Sequence, residues 1–300
     1  MNKKNKLVTI IKDRWQIYVL LTPFLILFTL MTVLPVIFSC ILSFFNFDMV
    51  SLPSFVGLDN YLRMFIQDDV FPTILKNTFL LAVLTGPAGF LLSFVLAWMI
   101  NEFRPAMRTL LSFMFYVPSL VGNALYIWTI IFSSDSYGYM NSQLLSLGLI
   151  TSPKQWFSDE SLIVPIVVII QLWMSMGVSF LSIISGLQNI NAELFEAGAV
   201  DGIKNRWQEL WYITLPGMKH MLLFSAVMQI ASAFSISSII TTLAGYPTVG
   251  YAADTIVSYL TDVGSIKYEM GYASALSVVL FVMMFGTRAI IVKLLRKVGQ

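Results

Sequence analysis

The sequence predicts an all-α membrane protein with six transmembrane helices and both termini in the cytoplasm. Three observations carry this expectation. Apolar residues make up 57% of the 300-residue chain and charged residues only 11%, against about 25% charged in soluble domains. A chain this apolar lacks the polar groups to cover a surface in water, so it needs a bilayer as its solvent. Six apolar runs are each long enough for the roughly 20 residues that cross the hydrocarbon core. Lysine and arginine are the third sign, because they gather on alternate connections between the runs.

The runs span residues 15–45, 77–100, 106–132, 162–187, 215–243 and 271–295. All are continuously apolar rather than alternating, which indicates helices and not barrel strands. The first is longer than a signal-peptide core and is led by Lys3, Lys4, Lys6, Lys12 and Arg14, so it reads as an uncleaved anchor after a cytoplasmic segment of residues 1–14. Fourteen Lys and Arg lie on the N-terminal segment, the second and fourth connections and the tail, against four on the other three connections. By the positive-inside rule the first set is cytoplasmic. Residues 15–300 then form a single membrane domain.

Inside the runs prolines recur at Pro23, Pro35, Pro87, Pro118 and Pro165. Each removes a helix hydrogen bond; plain helix architecture and a specific hinge are both open readings. Small residues over Gly86–Gly89 allow close helix packing. The runs hold almost no ionisable group, and the only histidine, His220, sits beside a cytoplasmic connection. A gradient-driven transporter usually needs a titratable or ion-binding residue at mid-membrane, so this inventory disfavours one. An intramembrane enzyme is disfavoured too, since no H-E-x-x-H, G-x-S-x-G or paired intramembrane aspartates occur. Trp173, Ser175 and Gly177 in the fourth run, with Gln229 and Ser232 in the fifth, are polar or aromatic groups at membrane depth. They either bridge helices or line a path for an uncharged polyhydroxy solute.

The connection over 191–216 is the richest stretch. Asn191 suits a helix N-cap, with Glu193 and Glu196 at the positive helix end. Gly202 turns the chain. Trp207, Leu210 and Trp211 then fall at helical spacing before Pro216, a residue suited to the first turn of the next span. Two short helices joined at a glycine make a rigid cytoplasmic knob.

This stretch resembles the E-A-A signature of membrane subunits of ATP-binding-cassette importers, E-A-A-x3-G-x9-I-x-L-P. Glu196, Ala197, Gly202, Ile213, Leu215 and Pro216 match it, and Asp201 fits the D-G form of the carbohydrate branch. Gly198 replaces the third-position alanine, and ten residues rather than nine separate Gly202 from Ile213. Phe55–Tyr61, Lys76–Thr78 and Gly271–Ser277 are similar to segments of the maltose and lactose importer permeases, whereas the usual T-x-G-G-P is degraded to Thr241–Pro247.

The resemblance implies the type I importer permease fold, with residues 191–216 as the coupling loop, in a bacterial cytoplasmic membrane. It further implies transport of a carbohydrate, an oligosaccharide, by a complex of two different permease chains. Two cytoplasmic ATPase subunits carrying ATP and Mg, and an extracellular solute-binding lipoprotein, would complete it. The chain has no P-loop, so it is expected to be no enzyme, to hold no cofactor or metal, and to contact lipid but no nucleic acid.

Overall fold

A computed structural model describes residues 15–122 and 124–295, so the charged N-terminal segment and the last residues of the tail lie outside the described residues. The described chain is mainly helical, and its one sheet is a two-stranded hairpin, Phe45–Asn46 against Ser54–Phe55. Among the described residues four helices are long and apolar enough to cross a membrane: Trp15–Leu42, Phe71–Asn101, Lys219–Ala244 and Met270–Leu294. A bent pair, Glu160–Met174 and Val178–Gln188, makes a fifth candidate.

Two expected helices are divided. The third run forms Pro105–Leu120 and the short Tyr126–Ile131 instead of one helix over 106–132. Pro118 sits in the last turn of the first piece, where its ring and missing N–H oppose continuation, and Val121 is already extended. The fourth run bends by 42° between Met174 and Val178. The fifth span starts at Lys219 rather than 215, because Met218 breaks it from the single turn Leu215–Gly217 that contains Pro216. The second helix begins at Phe71, ahead of the expected 77, since exposed Lys76 adds a polar outer turn that the bilayer pattern excludes.

The second, fourth and fifth spans form the tightest part of the bundle. Gly86 faces the Cβ of Ala233, so the small-residue stretch does pack helices closely. Ser179 and Ser225 each donate to the other's backbone carbonyl, at 3.1 and 2.7 Å, fastening the lower half of the fourth span to the fifth. The first helix is the exception: no residue of Trp15–Phe28 is buried.

The family-like segments at the other end are fasteners. Asn60 Nδ2 donates to the Ser43 and Phe45 carbonyls, both at 2.9 Å. Asn77 Nδ2 donates to Tyr251 O at 2.7 Å, and Thr78 Oγ1 accepts from Ile256 N at 2.9 Å. A Cβ on Gly271 would lie 2.0 Å from the Phe45 carbonyl, so only glycine permits the hairpin to seat on the helix Met270–Leu295. Asp68 Oδ2 accepts hydrogen bonds from both Tyr259 and Tyr272, while its Oδ1 accepts from the N–H groups of Val70 and Phe71. Burial opposes the Asp68 charge, yet the two tyrosine hydroxyls and two amides outweigh it and hold the carboxyl below its ordinary pKa.

Candidate functional site

The loop over 191–216 folds as the two-part knob expected. Asn191 Oδ1 accepts from Glu193 N at 3.2 Å and starts the helix Ala192–Val200. Gly202 then adopts φ +93°, the left-handed region that stops the helix and reverses the chain. Nothing lies within 4 Å of a Cβ built there, so the requirement is conformational and not one of space. Asn205 caps the second arm, accepting from Gln208 N at 2.9 Å.

The second arm explains both departures from the family signature. It begins as Arg206–Glu209 and passes into a π-helical turn over Leu210–Thr214. A π turn closes one hydrogen bond later than an α turn and so absorbs one extra residue. The ten-residue spacing thereby still delivers Ile213 to the first arm. There the missing methyl of Gly198 matters: a Cβ at that position would meet Ile213 Cδ1 at 2.7 Å and Ile203 Cδ1 at 3.0 Å.

What the knob offers outward is apolar and aromatic. Leu194, Val200, Trp207, Trp211 and Tyr212 are all exposed, beside exposed Glu196 and Asp201. Inward, Trp207 packs on Trp98 of the second span with ring centroids 5.5 Å apart. Arg206 pairs with Glu209 at 2.8 Å and with Glu102 at 2.6 Å. The Glu209 hydrogen bond, then the Glu102 charge, raises the Arg206 pKa and keeps it firmly cationic.

The mid-membrane candidates divide into three groups. Trp173 stands edge-on to Trp128, centroids 5.4 Å apart, in an aromatic cluster that continues through Phe132 to Trp156. Ser232 is engaged by Gln171, whose Nε2 reaches the Ser232 carbonyl and hydroxyl, both at 3.1 Å. Gln171 was not singled out in the sequence; it lies in the same run two residues before Trp173. Ser175 and Gln229 converge on Gly89, where a Cβ would lie 2.9 Å from Ser175 Oγ and 2.0 Å from Gln229 Nε2. Ser175 donates to Leu172 O at 2.9 Å. Gln229 is 1% exposed and neither end of its amide has a partner. Gly177, at the break in the fourth span, lies against Ser119. Ser175, Gly177 and Gln229 are all buried: Ser175 and Gln229 meet at Gly89, and Gly177 faces Ser119. Among the described residues no group of His, Cys, Asp or Glu could hold a metal ion.

Comparison with known proteins places this arrangement. The family described as binding-protein-dependent transport system inner membrane component matches residues 89–300. The chain is 31% identical over 277 residues to the probable ABC transporter permease protein YesP of Bacillus subtilis (strain 168), covering 90% of this chain and 87% of that one. It is 30% identical over 286 residues to the arabinooligosaccharides transport system permease protein AraP of the same organism, covering 92% and 87%. Its fold is similar to a chain in the crystal structure of a bacterial ABC transporter involved in the import of the acidic polysaccharide alginate. That match has a TM-score of 0.80 at 24% identity and covers 98% of this chain and 100% of the other. With a type I importer permease fold, a helix–glycine–helix knob before the fifth span and a family match over most of its length, the chain belongs to the inner-membrane components of binding-protein-dependent transport systems.

Proposed function

We propose that this chain is one of two different permease subunits of an ATP-driven importer for an oligosaccharide. In this reading it crosses a bacterial cytoplasmic membrane six times with both termini inside. Residues 191–216 dock on one of two ATPase subunits, which carry ATP and Mg, and a solute-binding lipoprotein delivers the sugar outside. The observation that carries the reading is the knob. Its exposed Trp207, Trp211, Tyr212 and Val200 form an apolar face on a charged-residue-rich end of the molecule, and such a face marks a protein contact. Glu196 and Asp201 add charge beside it. The arabinooligosaccharide relative supports the solute class, and the unburied first helix supports a second membrane chain. The gradient-driven alternative has no support, because family membership supplies the energy source from outside the chain.

The solute path in this reading passes the break in the fourth span, in the zone of Trp173, Ser175, Gly177, Gln229 and Ser232. The unspent amide of Gln229 supports it, since an unpaired buried amide costs about 1–3 kcal/mol. A rearrangement that opens the Gly89–Ser175–Gln229 contact would hand that amide to a sugar hydroxyl. The test is reconstitution in proteoliposomes with the candidate partners, measuring ATP hydrolysis and oligosaccharide uptake together. This chain alone is expected to show neither, and the complex both. ATP turnover by the purified chain by itself would overturn the assignment.

A further inference from the structure

The end of the fifth span remote from the knob carries a second polar site. A cavity of about 480 Å³ opens between the helix Ser237–Ala244 and the segment 256–266. That volume falls in the roughly 300–1,000 Å³ range of small-molecule sites. Its wall is unusually rich in hydroxyls: Ser235, Ser238, Thr241, Thr261 and Tyr246, with Asp262 beside them.

The direction of the hydrogen bonds decides what such a wall can hold. Ser235 Oγ donates to Ala231 O at 2.9 Å, Thr241 Oγ1 to Ser237 O at 3.0 Å, and Thr261 Oγ1 to Val257 O at 2.8 Å. These three hydroxyls have therefore spent their single proton on their own helix and present lone pairs outward. Asp262 adds a carboxylate whose side chain is only 13% exposed. Its Lys267 partner, 2.7 Å away, leans over the Tyr259 ring and does not line the cavity. A second carboxylate, the fully buried Asp254, lies behind Ser258, which donates to it at 3.3 Å. Val257, Ile266 and the Tyr246 ring supply apolar surface.

We infer that this cavity is a binding site for a neutral, hydroxyl-rich sugar residue and that it excludes acidic sugars. The inference rests on the importer reading above and adds to it a charge selectivity at a separate place. A neutral pyranose or furanose brings several O–H donors to the acceptors of Ser235, Thr241, Thr261 and Asp262, and C–H faces to Tyr246 and Val257. A uronate brings an acceptor-only anion, which meets lone pairs and the Asp262 charge.

The experiment uses the assembled complex with this chain carrying Cys40→Ser and Ser238→Cys, labelling being read on this chain alone, so that one thiol reports on the cavity. Its alkylation rate is followed with maltotriose, arabinotriose or trigalacturonate at millimolar concentration. The neutral trisaccharides are expected to slow labelling and trigalacturonate to leave it unchanged. Asp262→Asn should let trigalacturonate slow the labelling, at an apparent affinity about tenfold tighter than with Asp262, since a unit charge nearby is worth on the order of 1–2 kcal/mol across a partly exposed site. Thr241→Val, which removes an acceptor without changing shape, should weaken protection by the neutral sugars while leaving the sugar-free labelling rate intact. Equal protection by neutral and acidic sugars, or no protection by any, would overturn the site. Uptake with the binding protein is measured in parallel: ATP-driven uptake with an unprotected thiol removes only this cavity, whereas loss of ATP-driven uptake of every sugar in the unsubstituted complex removes the importer reading itself.

Discussion

Arg206 Nη2 lies 2.6 Å from Glu102 Oε2, joining the second arm of the 191–216 knob to the residue that ends the helix Phe71–Asn101. The two residues are 104 positions apart in the chain. Trp207 and Trp98 pack one turn away, so the contact is both charged and aromatic. The link ties the knob to a helix that carries Gly89, the residue against which Ser175 and Gln229 pack.

Breaking this link should separate ATP turnover from transport. Both charges are largely exposed, and such pairs are worth about 0.2–1 kcal/mol. Arg206→Glu is therefore expected to lower sugar moved per ATP by no more than about fivefold. The exchange Glu102→Arg with Arg206→Glu should restore it. Trp207→Ala, which removes the aromatic packing, should cost more than the charge change. An unchanged ratio in Trp207→Ala would show that force travels by another route.

Gly202 gives a sharper test of the knob. Its φ of +93° is adopted freely by glycine and with strain by other residues, but the space around it is empty. Gly202→Asn should thus be tolerated, because Asn visits this region at modest cost, whereas Gly202→Val should lose about 1–3 kcal/mol locally and fail to couple. If the two variants behave alike in the reconstituted ATPase and uptake assays, size and not backbone conformation is what the site requires.

Gln229 predicts a trade between stability and transport. Removing an unpaired buried amide relieves a desolvation cost, so Gln229→Leu should keep or raise folded yield and heat resistance. If the amide serves the solute path, the same variant should raise the apparent transport constant for sugar. Trp173→Ala should alter transport constants in the same sense, with some loss of yield because Trp173 is packed on Trp128. Falling yield with unchanged constants in the surviving protein would place the path elsewhere.

Asp68 sets a pH limit at the opposite end. Its carboxyl is held below the ordinary value of 3.8, so its fastening is complete above that value and is lost as pH falls through the lower folded-state pKa. The denaturation midpoint of the detergent-solubilised protein should drop on acidification below about pH 4. Asp68→Asn, by weakening two tyrosine hydrogen bonds, should lower stability by about 1–3 kcal/mol at neutral pH and flatten that acid response. An identical acid response in the variant would mean other carboxylates govern it.

Much of this architecture was legible because bilayer-spanning segments write themselves in composition. The helices starting at Trp15 and Met270 begin within a residue of their apolar runs, those starting at Phe71 and Lys219 overlap their runs with shifted starts, and Asn191 and Gly202 announced the knob through capping and turn chemistry. The break near Val121 was signalled by Pro118 alone, which reads equally as plain helix architecture, and the bend at Gly177 was not legible, since a run of apolar residues reads alike whether the helix continues or bends. Nor was the π turn at Leu210–Thr214: one extra residue signals a disturbance, and only the packing of Ile213 on Gly198 shows how it is absorbed. Partners so distant in sequence as Gln171 with Ser232, or Asp68 with Tyr272, leave no periodic trace.

The bare helix Trp15–Phe28 has a consequence for how this chain is made and how it can change. Residues elsewhere in the bundle must suit the shape of a neighbour, but within this chain those fourteen residues answer only to oil. They can be inserted as soon as they are synthesised, before any companion helix exists to receive them. Leucine, isoleucine, valine and phenylalanine are then nearly interchangeable there as far as this chain's own folding is concerned. Any position in that stretch that proves intolerant of such exchange must be feeling the surface of a different molecule, so a simple shuffling of its apolar letters would trace an assembly contact one residue at a time.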